Sequence, residues 1–155
     1  MSQNFQPPAP SSYTQAPAPA PASGNVAFGV LAAVVAGLVS AAIYGAIVKA
    51  TEHEIGYAAV GVGALVGFAA GKIGGRNAVL PVVAVLVSVA AVLAGQLFGV
   101  ALSGAEQLSE TVVDVLTQRT SEVVDNWQAN AGPMTFLFLA IGGYAAFQIT
   151  RKTAD

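Results

Sequence analysis

The sequence predicts an all-α fold: a membrane bundle of four transmembrane helices, with one amphipathic helix between spans 3 and 4. Three observations predict it. Only 9% of the 155 residues are charged while 55% are hydrophobic, against about a quarter charged in soluble domains. The apolar residues fall in long blocks of Ala, Val, Leu and Gly, bounded by short charged groups. A fifth segment carries polar and apolar residues at helical spacing instead. A surface so poor in charge cannot face water, so lipid is the solvent for most of the chain.

Residues Met1 to Gly24 hold six prolines and no charged side chain. The run Ala16 to Pro21 alternates alanine and proline, and each proline lacks an N–H and restricts the residue before it. With little to bury against ordering entropy, residues 1–24 read as a disordered Pro/Ala-rich tail. No lysine or arginine precedes the first apolar run, and that run is too long for a cleaved leader, so a signal anchor is expected. The transmembrane domain then covers residues 25–152.

The first span, about Val26 to Val48, is 23 residues without a charge, roughly 35 Å of helix. Lys49, Glu52, His53 and Glu54 close it. Ile55 to Gly71 is a short second span of 17 residues, ended by Lys72 and Arg76. The third, Ala78 to Leu102, is 25 residues long and has Pro81 in its first turn, where a missing N–H costs little. The fourth, Pro133 to Ile149, also opens on proline and stops at Arg151 and Lys152. Between spans 3 and 4, about residues 104–128, Leu108, Val112, Leu116, Val123 and Trp127 line one side of a helix. Glu106, Glu110, Asp114, Gln118 and Glu122 line another, which predicts an amphipathic surface helix. Its acidity argues against attraction to anionic head groups.

Lysine and arginine resist translocation. With the N-terminus cytoplasmic, Lys72, Arg76, Arg151 and Lys152 lie inside and Lys49 and Arg119 outside, so both termini are expected in the cytoplasm.

Small residues recur every four positions: Gly29, Ala33, Gly37, Ala41 and Gly45 in the first span; Ala59, Gly63, Gly67 and Gly71 in the second; Ala91, Gly95, Gly99 and Ser103 in the third. In lipid, helices associate through close backbone approach, and such glycine-zipper stripes make the flat grooves this needs. The stripes serve either packing within one monomer or self-association. Gln96, an amide inside the third span, is expected to seek an interhelical partner, or else to line a pore.

The function classes narrow accordingly. There is no basic patch for nucleic acid. Cysteine is absent, which removes disulfides and thiol chemistry. Nothing assembles a nucleophile–base pair, so no enzyme and no cofactor are expected. No Asp, Glu, Lys, Arg or His lies inside the spans, which counts against ion-coupled transport. Glu52, His53 and Glu54 are the only cluster with ligand chemistry. Neighbouring helix positions diverge by about 100°, so they form at most a weak cation site, with no metal assigned. Glu52 and Glu54 also fit as acids at the start of the second helix. What is left is a non-enzymatic membrane protein acting through helix packing, as a homo-oligomer or an accessory subunit of a larger complex. The alternative is a small channel or uncoupled transporter lined by glycine backbone and Gln96.

The stretch Glu54-Ile55-Gly56-Tyr57-Ala58-Ala59-Val60-Gly61-Val62-Gly63-Ala64-Leu65-Val66-Gly67 resembles the second span of a family of small, uncharacterised bacterial four-span membrane proteins. Residues Leu137 to Phe147 are similar to their closing span. The resemblance implies a bacterial plasma membrane and supports counting both short runs as spans. It implies no activity.

Overall fold

The computed structural model describes residues 24–53 and 55–154. The Pro/Ala-rich tail, apart from its last residue, and Glu54 lie outside them. Six helices follow in order: α1 Val26–Thr51, α2 Gly56–Gly74, α3 Val79–Leu108, α4 Val112–Gln118, α5 Thr120–Asn130 and α6 Pro133–Thr153. Helices α1, α2, α3 and α6 are long and apolar enough to cross a membrane, so the chain is a multi-pass integral membrane protein.

Local chemistry sets the helix ends. Asn25 caps α1, its side-chain oxygen accepting from the Ala27 N–H at 3.0 Å, which satisfies one of the orphan donors of the first turn. α1 stops at Glu52, which adopts the left-handed conformation with φ 56°. α2 runs through Lys72 and ends at Gly75, φ 69°, a backbone that costs glycine nothing. Asn77 then accepts from the Val79 N–H and starts α3. α6 opens on Pro133, and the Gly132 N–H donates to the Thr135 hydroxyl at 3.3 Å.

The spans alternate in direction. Gly29 lies against Gly74 and Leu80, and Gly71 against Thr150 and Thr153. This gathers the start of α1, the end of α2, the start of α3 and the end of α6 at one end of the bundle. Two of the closest helix pairs, α1 with α3 and α2 with α6, are therefore parallel. α2 also packs on α3 across the short diagonal, whereas α1 and α6 do not touch among the described residues. The core is built from small side chains: Ala33, Ala41, Ala59, Val62, Val66, Ala70, Ala84, Ala91, Val92 and Ala146, with Tyr44 the largest.

The region between spans 3 and 4 differs from the single amphipathic helix expected over 104–128. α3 continues to Leu108, so its 30 residues reach about 45 Å, well beyond a hydrocarbon core of about 30 Å. Ser109 then turns the chain with φ 53°, and two short helices fold back beside the protruding end. The break at Ser109–Thr111 rotates the helical frame. Val115 and Val123 go inside, while Leu108 and Leu116 stay 47% and 38% exposed.

Candidate functional site

The features of interest sit at two levels: the glycine faces within the spans, and the layer formed by α4 and α5 on one end of the bundle.

All eight glycines of the predicted packing set face another helix of the same chain. A β-carbon on Gly67 would lie 2.5 Å from the Ala146 carbonyl oxygen, and one on Gly71 2.6 Å from the Thr150 oxygen. Gly63 meets the Gly142 oxygen closer still. The three contacts share one offset along the chain, so α2 and α6 stay in register over two turns. On the other parallel pair, Gly45 lies against Gly95 and Gly99, Gly95 against the Ala41 oxygen and Tyr44, and Gly99 against Val48 and the Gly45 oxygen. Gly37 packs on Val87, and Gly29 on Gly74. The facing row on α6, Gly142, Ala146 and Thr150, went unnoticed in the sequence. Its signal is the same four-residue spacing, obscured because threonine stands in the third position.

Gln96 is 1% exposed, and its Oε1 accepts a hydrogen bond from the Trp127 Nε1 of α5 at 2.9 Å. The amide thus has an interhelical partner, supplied by the surface layer and not by another span. Its Nε2 and the Ser88 hydroxyl are buried without a partner among the described residues. Further along α3 toward its protruding end, Val115 and Val123 close over Ala101 and Ala105, with Leu97, Val100 and Val112 packed around them. That second small core seats the layer.

Arg119, at the junction of α4 and α5, holds the layer's own shape. It meets Glu110 through two parallel bonds of 2.9 Å and Glu122 at 3.3 Å, the bidentate geometry that a guanidinium favours. The bond from Arg119 holds the Glu110 carboxyl below its usual range, and the same contacts push the Arg119 guanidinium up. Thr111 caps α4, its hydroxyl oxygen accepting from the Asp114 N–H at 3.2 Å. Glu106 leaves the predicted acidic stripe and pairs with Lys49 of α1 at 2.9 Å. The pair is largely solvent-exposed, and such pairs contribute about 0–1 kcal/mol. A cleft of about 570 Å³ lies between the layer and the ends of α1 and α3, with Val48, Val100 and Leu108 among its walls and Glu52, Arg119 and Asn126 at its polar edge.

Glu52 does not stand at the start of α2 as expected. It forms the C-cap of α1, with Lys49 in the preceding turn offsetting the negative helix end. The first turn of α2 contains no acid. His53 Nδ1 lies 2.7 Å from the Thr51 oxygen. Among the described residues no three His, Cys, Asp or Glu side chains come together to hold a metal ion, and Glu54 lies outside them.

Charge is segregated between the two ends. Glu52, Glu106, Glu110, Asp114, Glu122 and Asp125 share the α4–α5 end with Lys49 and Arg119. Lys72, Arg76, Arg151 and Lys152 occupy the other end, with no acid there among the described residues.

No family model, curated protein or solved structure matches the chain.

Proposed function

We propose that this chain is a non-enzymatic membrane protein of the bacterial plasma membrane that acts by assembling with other membrane-embedded chains, its own copies or a larger complex. The observation that carries this is the division of labour in the fold. The glycine stripes pack within one bundle, while a separate layer, α4 and α5, sits at one end of it on a core of its own and leaves Glu122 and Asp125 exposed. A layer fixed so firmly, yet adding nothing to the contacts among the spans, fits a surface offered to a partner. The four bases at the opposite end favour a cytoplasmic location for that end, and so for both termini. The acidic layer then faces outward from the cell.

The channel alternative draws no support from this packing. The glycine backbones that would line a pore lie against neighbouring helices, and the Gln96 oxygen is engaged by Trp127. The reading is tested by mild chemical cross-linking in intact membranes followed by purification of the tagged full chain. A stoichiometric partner or a second copy is expected. Recovery of the monomer alone contradicts it.

A further inference from the structure

The outward face of α6 differs from the other outward surfaces of the spans. Polar side chains elsewhere along the spans are buried at Ser40, Tyr44, Ser88, Gln96, Thr135 and Thr150 and half-buried at Ser103, with Tyr57 exposed in the first turn of α2. Outward positions on the other helices are apolar, as at Leu31 and Leu38 on α1, Leu65 on α2 and Leu86 on α3. On α6 the outward line runs Leu137, Ile141, Tyr144 and Gln148. Tyr144 is 65% exposed, and the Gln148 Nε2 donates to its hydroxyl oxygen at 2.7 Å.

Depth makes this pair unusual. Tyr144 and Gln148 precede Arg151 by seven and three residues, which at about 1.5 Å per residue is roughly 10 Å and 5 Å toward the bilayer centre. Gln148 extends toward the helix N-terminus to reach the phenol, away from the nearer membrane surface. Their bond uses the phenol oxygen as acceptor. It leaves the phenol hydrogen, one amide hydrogen and the amide oxygen with no partner in the chain among the described residues. Lipid tails offer none, and an unmet polar group in hydrocarbon is costly.

We infer that a second copy of this chain covers this face, forming a two-fold dimer through α6 with Tyr144 and Gln148 hydrogen-bonded across the interface. In a parallel two-fold pair the same residues meet at the same height. Tyr144 then stands one turn above the second copy's Gln148, the same rise that separates it from its own. The phenol hydrogen of each copy donates to the amide oxygen of the other, so the unmet groups are self-complementary, as an isologous contact requires. α6 packs only on α2 and α3, which leaves this side open to a neighbour. The inference rests on the reading of the chain as an assembling membrane protein, and it names the partner and the surface.

The chain has no cysteine, so single cysteines report the interface directly. Ala140→Cys, one turn from Tyr144 on the same side of α6, is compared with Leu31→Cys on the outward face of α1 by oxidation in native membranes. A disulfide-linked dimer is expected at Ala140→Cys and not at Leu31→Cys. Adding Tyr144→Phe and Gln148→Leu is expected to lower the dimer fraction at least about fivefold. Because Tyr144 is exposed and Gln148 only half-buried, thermal unfolding of the monomer in detergent is expected to change little. Cross-linking at Ala140→Cys that ignores the double substitution overturns the hydrogen-bonded interface. A dimer through Leu31→Cys alone overturns the face and leaves assembly standing. A complex with a different protein and no second copy overturns the partner. A monomer with nothing captured overturns both this inference and the proposed function.

Discussion

Two glycines of α2, six residues apart, state the packing argument most sharply. Nothing lies within 4 Å of a β-carbon placed on Gly61, whereas one on Gly67 meets the Ala146 carbonyl oxygen at 2.5 Å. Gly61→Ala is therefore expected to leave thermal stability in detergent unchanged or slightly raised, through helix propensity of about 0.5–1 kcal/mol. Gly67→Ala must push α6 away and is expected to destabilise by about 1–3 kcal/mol, as overpacking does. Equal unfolding temperatures for the two variants would show that the α2–α6 contact is not as close as described. The sequence displays both residues as glycines in an apolar helix, and only the four-residue phase tells them apart. That phase was legible because the stripe is unbroken. Gln96 was legible too, as a buried amide needing a partner. The identity of the partner was not, since Trp127 is 31 residues away and reaches it only through the turn at Ser109 and the α4–α5 junction at Arg119. Trp127→Phe strands the Gln96 oxygen in the core, a change that ordinarily costs about 1–3 kcal/mol. Hydrogen exchange is expected to rise across α5 in that variant while α1 and α2 remain protected.

At the scale of elements, the layer formed by α4 and α5 depends on Arg119. It ties Glu110, just before α4, to Glu122 in the first turn of α5. The sequence shows five acids and one arginine in this segment, which reads as a solvated acidic face. It does not show that the arginine gathers two of those acids around the α4–α5 junction. The expectation of one continuous helix failed for a local reason. Ser109 takes a left-handed backbone that no glycine or proline announces, so hydrophobic periodicity carried the helix through it. The Glu110 carboxyl titrates lower in the folded layer than in the unfolded chain, because Arg119 stabilises its charged form. Its contribution is thus fully present above the unfolded carboxylate range and is lost as pH falls through the folded value. Trp127 fluorescence is expected to be constant from neutral pH down to the carboxylate range and to shift below it. Glu110→Gln is expected to remove that acid-induced shift, and a shift that survives the substitution would assign it to another group.

The whole molecule is a charge-segregated bundle in which two parallel helix pairs, α1 with α3 and α2 with α6, are joined by the α1–α2 and α3–α6 contacts and by α2 on α3 across the diagonal. The count and order of spans were readable from apolar length and charge boundaries. The pairing was not, because a stripe of small residues says that a helix is approached closely and does not say by which neighbour. Everything outside the membrane depends on the alternation of the four spans. That alternation puts α4 and α5 on the face opposite the basic ends of α2 and α6. The most direct test labels single cysteines in the otherwise cysteine-free chain with a membrane-impermeant thiol reagent, at Ala78 beside the start of α3 and at Ser121 in α5, both exposed. In intact cells Ser121→Cys is expected to react and Ala78→Cys to react only after permeabilisation. Equal reaction of both from one side would contradict the four-span bundle.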